Sequence, residues 1–160
     1  MDTTPEELHK VRRELSAANA AVLLIDTAAG SSDDVLQCCA FADLILIVVN
    51  DEPPSIVDAY GLIKILQNNT PSTPLALVVN NTIDAEDAEE VVRKMNMATE
   101  RFLRRKVGSI GFVPYDRAVR TSIVEQQPLL LMQPNSEAAM AIKSLARLLS
   151  TALRRHRKDV

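Results

Sequence analysis

The segment VLLIDTAAG, residues 22–30, is an apolar run that stops at an aspartate, small residues and a glycine. A buried strand delivers a carboxylate to the edge of a sheet in this way. Such a carboxylate is suited to serve a magnesium ion bound to phosphate. Asp26 is therefore a candidate magnesium-site residue. The alternative is that Asp26 only caps the loop that follows its strand.

A phosphate would also need a glycine-rich loop, and the sequence does not contain one. The chain has four glycines, and none of them lies in a GxxxxGK[ST] pattern. Phosphoryl transfer depends on a cradle of backbone amides, a lysine and a positioned water molecule. We therefore expect this chain alone to bind ATP weakly or not at all, and not to hydrolyse it.

Polar and turn-forming residues follow three further apolar runs. In open parallel sheets, ligands bind at the carboxyl ends of the strands, so these residues belong to one candidate rim. Asn80 is a candidate ligand contact or, alternatively, a turn residue with unusual backbone angles. Asp116 is favoured as a helix N-cap, which leaves the backbone of the Pro114 loop as the better ligand contact. The three rim segments are Asn50-Asp51-Glu52-Pro53, Asn80-Asn81 and Val113-Pro114-Tyr115-Asp116.

Composition indicates one globular domain over residues 1–160, with no transmembrane segment and no signal peptide. Hydrophobic residues make up 47% and charged residues 24%, and the formal net charge is -3. This charge gives no reason to expect direct nucleic-acid binding. Two cysteines, Cys38 and Cys39, suit a reducing cytoplasm. Inside a helical pattern they are best explained as packing residues, with a metal or redox role as the alternative.

Four continuous apolar runs predict strands covered on both faces, as in a parallel sheet. They are residues 21–25, 44–49, 75–79 and 107–113. Amphipathic segments that predict helices separate them, and the result is an α/β doubly wound fold with helices on both faces. Helices are predicted after Thr4-Pro5, from a capping box at Ser55, over 84–105, from Asp116 to about 126, and from about Ser136. The apolar stripe of the helix at Ser55 is predicted to be Ile56, Tyr60 and Ile63, and that of the 84–105 helix Ala88, Val91, Met95, Ala98 and Phe102.

Taken together, these segments resemble the MinD/ParA family of ATPases, in particular its regulators of flagellar number (the FlhG/FleN type). The match runs from about residue 10 to about residue 150. The segment NDEPP departs from the more usual Thr-Pro-Glu-Pro type of turn. The resemblance is carried by VLLIDTAAG, LILIVVNDEPPSIVDAYGLIKIL, LALVVNN and the C-terminal third from ATERFL to SLARLL.

The resemblance implies specific roles for the residues of the rim. Asp26 would hold magnesium through water, as a Walker B residue. Thr27, Ala28, Ala29 and Gly30 would form the switch beside the γ-phosphate. Asn80 and the loop of Val113, Pro114, Tyr115 and Asp116 would form the pocket for the adenine of ATP or ADP.

The family pattern begins with a strand and a Walker A loop that do not appear in this sequence. In the family's sheet that strand lies between the Asp26 strand and the strand near Leu44. Its absence would leave two hydrophobic edges, which favours self-association. We therefore expect one of two outcomes. Either the Asp26 strand pairs directly with the 44–49 strand, or another polypeptide supplies the missing strand.

The resemblance implies a cytoplasmic regulator that contacts flagellar assembly or regulatory proteins. One alternative is a fragment of an active ATPase whose Walker A loop is encoded upstream. Another is a ParA-like factor that positions other cargo, which the segment SIVDAYGLIKIL makes less favoured. The C-terminal helix, with a basic end at about 154–160, is expected to pack on the sheet. Contact with the inner membrane is its alternative role.

Overall fold

Strands and helices alternate along the part of the chain that the computed structural model describes, residues 22–156 together with Arg13. The predicted α/β fold is confirmed. The helix predicted after Thr4-Pro5 and the basic residues 157–160 lie outside the described residues. The elements are α1 (Asp33–Ala40), β1 (Ile45–Asn50), α2 (Pro53–Asn69), β2 (Leu75–Thr82), α3 (Ala85–Leu103), β3 (Gly108–Pro114), α4 (Arg117–Val124), α5 (Leu129–Met132) and α6 (Glu137–His156).

The described strands form a three-stranded parallel sheet in the order β1-β2-β3. Five consecutive residues of β2, from Leu75 to Val79, are buried, as predicted for a strand covered on both faces. At the carboxyl end, Asn50 is in register with Asn80, and Asn80 with Val113. The parallel arrangement therefore brings the ends of all three strands to one rim.

The strand predicted over 21–25 is wrong for its described residues. Residues 22–25 form no regular element, and Leu24 is 79% exposed and Ile25 45% exposed. A single strand has no ladder to satisfy its backbone groups, so it needs a neighbour. β1 pairs with β2 and with no other strand in the described part of the chain. Direct pairing of the Asp26 segment with β1, the first expected outcome, is therefore also wrong; a strand supplied by another polypeptide stays a prediction.

One face of the sheet is covered by α1, α2 and α3. Their apolar stripes meet the inward-facing residues of β1 and β2, so the main core lies between these two layers. The predicted stripe of α2 is confirmed, because Ile63 is fully buried and Ile56 and Tyr60 pack against the same core. On α3 the prediction fails at Phe102, which is 67% exposed, while Thr99 is fully buried instead.

The other face is covered by α6, which packs against β3. Ala138 and Ala139 are fully buried there, and Ile142 and Leu145 pack around them. Gly111 allows this close approach: its φ is +131°, and a Cβ atom at this position would lie 3.0 Å from Cδ2 of Leu145. The predicted packing of the final helix on the sheet is thus confirmed for its first half.

The cysteines are packing residues in this fold, as predicted. Cys39 is buried in the main core and Cys38 is half-buried, and both are free thiols. Burial, and then the neighbouring Cys38, raise the pKa of the Cys39 thiol, so it is held in its neutral form. Within residues 22–156, no three His, Cys, Asp or Glu side chains are placed to share a metal ion.

Candidate functional site at the carboxyl rim of the sheet

A hydrogen bond between two asparagine side chains joins the ends of β1 and β2. Nδ2 of Asn80 donates to Oδ1 of Asn50 across 3.1 Å, and both residues are half-buried. The backbone N–H of Asn50 donates in turn to Oγ of Ser55 across 2.9 Å. This chain of bonds fixes the start of α2 relative to the rim.

The role of Ser55 was not found from the sequence. The predicted capping box is wrong, since α2 begins at Pro53, with Glu52 in the N-cap position and no side-chain cap bond. Proline at the first helical positions needs no hydrogen-bond partner for its nitrogen, so the two prolines can start the helix by themselves. The Ser55 hydroxyl is thereby left to accept from β1. In the sequence, the signal that could have revealed this arrangement is the Pro53-Pro54 pair directly before Ser55.

Asn80 is a strand residue and not a turn residue. It lies inside β2 and pairs with β1 on one side and β3 on the other. The unusual backbone belongs to the next residue, Asn81, whose φ is +62°. Asn81 lies where the register between β2 and β3 shifts, as in a β-bulge. The bulge leaves the side chain of Asn80 at the rim.

The Val113–Asp116 loop is held against the same end of β2. Val113 is in register with Asn80, and the backbone N–H of Tyr115 donates to the carbonyl oxygen of Thr82 across 2.7 Å. The ring of Tyr115 is exposed. The structure therefore brings together two of the predicted groups, Asn80 and the loop from Val113 to Asp116.

Asp116 is a helix cap, as the sequence favoured. Its Oδ1 accepts from the backbone N–H of Ala118 in α4 across 2.8 Å. Its Oδ2 accepts from the backbone N–H of Ala138 in α6 across 3.1 Å. The bond from Ala118, followed by that from Ala138, lowers the pKa of Asp116 below its usual range. One carboxylate therefore fixes the first turns of two helices.

The segment from Asp26 to Gly30 is not carried to this rim by a strand. All five residues are exposed, and the segment leads through irregular backbone into α1. Gly30 has a φ of +102° with open space around it, a conformation that favours glycine. Among the described residues, no strand pairing therefore joins Asp26–Gly30, the predicted magnesium and switch residues, to Asn80 or to Val113–Asp116, the predicted adenine residues.

The rim is acidic near β1 and α3. Partial desolvation, followed by the negative charges of Asp84, Asp51 and Glu90, raises the pKa of Asp87. Asp51 and Glu52 are both exposed, so neither is held in a buried acid–base pair. Such a surface repels phosphate unless cations offset its charge.

Thr82 was also missed by sequence reasoning. It is fully buried at the end of β2, and its Oγ1 has no hydrogen-bond partner among the described residues. A buried hydroxyl without a partner lowers stability. In the sequence, the only signal was a polar residue that continued the run beyond Asn80-Asn81.

A separate groove of about 420 Å³ lies between α3 and β3. Val92 and Phe112 are among its apolar lining residues, and Glu89 and Arg93 are its charged lining residues. The residues that line it include none of the predicted nucleotide contacts. We therefore place the candidate site at the rim, where the hydrogen-bonded loop and strand ends meet.

The chain is similar to a protein named as an antiactivator and to a protein named as ATP-binding. It is 36% identical over 128 residues to the antiactivator FleN of Pseudomonas aeruginosa, a match that covers 80% of this chain and 46% of FleN. It is 32% identical over 142 residues to the ATP-binding protein MJ0547 of Methanocaldococcus jannaschii, with 89% of this chain and 50% of that protein covered. No protein-family model matches the chain.

The fold is similar to that of a solved cell-division protein. MinD of Aquifex aeolicus superposes with a TM-score of 0.70 and 26% identity, over 90% of this chain and 59% of MinD. The similarity to FleN in sequence and to MinD in sequence and fold supports a place for the chain in the MinD/ParA family. The chain spans about half the length of the curated relatives that it matches. The predicted MinD-like fold is thereby confirmed.

Proposed function

We propose that this MinD/ParA-family chain regulates flagellar number, flagellar placement or flagellar gene expression through contacts with other proteins, and that it carries only part of an ATP site. The similarity to the antiactivator FleN over 80% of the chain supports this proposal most directly. The cytoplasm, with the inner membrane as a further place of action, is its proposed location.

The rim supports the nucleotide part of the proposal. Asn80 and the backbone from Val113 to Tyr115 would contact adenine, whereas Asp116 is already engaged by two helix N-termini. Asp26 would hold magnesium through water, and Thr27 to Gly30 would face the γ-phosphate. The acidic rim and the lack of a Walker A pattern in the sequence make the binding of ATP or ADP weak.

A genetic experiment tests the regulatory role. Deletion of the gene in its source organism should change the number or position of flagella per cell, counted by electron microscopy, and the wild-type gene should restore both. Asp26→Ala should restore them equally well, because the role rests on protein contacts. Unchanged flagella after deletion would refute the regulatory proposal. Failure of Asp26→Ala to complement, at normal protein level, would refute its independence from magnesium.

A thermal-shift experiment tests the weak binding of nucleotide. Because a ligand stabilises a protein appreciably only when its concentration exceeds its Kd, millimolar ATP with magnesium should raise the Tm very little if binding is weak. A rise of several degrees would overturn this claim. The alternative, a fragment of an active ATPase, is tested by the DNA upstream of Met1, where an in-frame Walker A sequence would support it.

Membrane contact through α6 is the remaining alternative. No helix in the described part of the chain is long and apolar enough to cross a bilayer. The apolar side chains Ile142 and Leu145 pack against the sheet and are not free to enter lipid. We therefore expect equal pelleting with anionic liposomes for the full chain and for a chain that ends at Leu149. Greater pelleting of the full chain would support membrane contact.

A further inference from the structure

Within residues 22–156, the outer edge of β1 is an open, apolar strand edge. β1 pairs with β2 along its whole length, from Ile45 with Leu75 to Asn50 with Asn80, and with no other described strand. Its sequence, ILIVVN, has five consecutive apolar residues. Val48 is 61% exposed, because α6 packs on β3 and leaves this part of the sheet face bare. Open edges of this kind are templates for another strand.

The same chain also carries an exposed segment of strand length. Val22, Leu23, Leu24 and Ile25 are consecutive, and between 45% and 79% of each is exposed. Isolated apolar side chains on a surface are ordinary, but four in a row next to a polar turn are not. β-branched and large aliphatic residues in such a run favour strand formation once a partner edge is available.

The segment does not fill the edge of its own chain. The helix that follows it, α1, is already docked, with Val35 and Cys39 buried in the main core. With α1 in this position, the segment remains unpaired and β1 remains open. The chain therefore presents both a donor strand and an acceptor edge, and neither is used within the described fold.

We infer that two copies of this chain exchange the Val22–Ile25 segment, each adding it to the β1 edge of the other. If each copy donates its segment to the other, the two copies form a closed dimer with two-fold symmetry. Both Val22–Ile25 segments and both β1 edges are then paired. The exchange covers two donor segments and two acceptor edges at once, which favours the roughly 1,000 Å² of buried surface that a specific interface requires. Direct pairing of β1 with β1 would leave the four apolar side chains exposed, so exchange is favoured.

The exchanged dimer needs no nucleotide, so its test is independent of the tests of the proposed function. Sedimentation velocity without ATP should give twice the chain mass of 17.6 kDa at micromolar concentration. Leu24→Asp, in the donor, and Val48→Asp, at the acceptor, should each give a monomer. Matched controls are Ile83→Asp and Leu131→Asp, which change side chains that are 83% and 80% exposed elsewhere and should remain dimeric.

A mixing experiment distinguishes strand exchange from other dimers. The Leu24→Asp chain keeps an intact acceptor and the Val48→Asp chain keeps an intact donor, so an equimolar mixture should recover heterodimers. Circular dichroism of each variant verifies that it is folded. A wild-type monomer at all concentrations, a dimer that requires ATP, or a dimer that survives Leu24→Asp would each overturn the inference. The last result would indicate direct pairing of the β1 edges.

Discussion

Nδ2 of Asn80 lies 3.1 Å from Oδ1 of Asn50, so one side-chain hydrogen bond ties the carboxyl ends of two parallel strands together. Both residues also pair through the ladder between β1 and β2. The bond restricts Asn80 to one orientation at the rim, next to Val113 and the following loop. It also means that any ligand of Asn80 meets an amide that is already partly engaged.

The coupling between Asn50 and Asn80 can be measured by a double-mutant cycle. Asn50→Ala, Asn80→Ala and the double variant should give an interaction free energy of about 0.5–1.5 kcal/mol in urea denaturation, as for an ordinary side-chain hydrogen bond. A control cycle of Asn50→Ala with Asn69→Ala should give a value close to zero, because Asn69 is the last residue of α2 and Asn50 precedes the first turn of that helix. Equal values in both cycles would show that the bond contributes nothing to stability.

Asp116 should make stability depend on pH. Its folded-state pKa is lowered by the bonds from Ala118 and Ala138, so its contribution is fully present above the unfolded value of about 3.9 and is lost as pH falls through the folded value. Asp116→Asn keeps an N-cap side chain but removes the charge. We therefore expect the difference in denaturation midpoint between wild type and Asp116→Asn to be largest near neutral pH and to shrink in acid.

A comparison of helix caps gives the control for this effect. Asp84 accepts one backbone N–H, that of Asp87, and caps α3 alone. Asp116→Ala removes bonds to two helices and should lower the Tm by several degrees, more than Asp84→Ala does. A pH-independent difference between wild type and Asp116→Asn would contradict the assigned role of the carboxylate charge.

The sequence predicted the elements whose signals are local. The cap at Asp116 was found because an acceptor side chain directly precedes a helical pattern. The strand predicted at residues 22–25 does not form, because its apolar pattern describes what the segment would do with a neighbour. Pairing is a property of two segments, and β1 lacks a second partner among the described residues. The Asn50–Asn80 bond and the burial of the Thr82 hydroxyl likewise depend on the register between neighbouring strands. Composition and residue spacing do not specify that register.

Gly111→Ala should destabilise the chain. A φ of +131° disfavours any residue with a Cβ atom, and this atom would lie 3.0 Å from Cδ2 of Leu145. Backbone strain and the displaced contact between β3 and α6 should together cost about 1–3 kcal/mol in urea denaturation. Gly61→Ala is the control: it lies inside α2 with open space around it and should raise stability by up to about 1 kcal/mol. Equal effects of the two substitutions would show that the approach of α6 to β3 is looser than described.

The buried hydroxyl of Thr82 gives a prediction of the opposite sign. Its Oγ1 has no partner among the described residues, so Thr82→Val exchanges an unsatisfied polar atom for a methyl group of similar volume. We expect urea denaturation to show a gain of about 1 kcal/mol in the free energy of unfolding. Thr82→Ser keeps the hydroxyl but removes a buried methyl group, and should instead lose about 1 kcal/mol. If Thr82→Val is destabilising by more than Thr82→Ser, the hydroxyl has a partner outside the described residues. Thr82 would then belong to the contacts of the rim rather than to its packing.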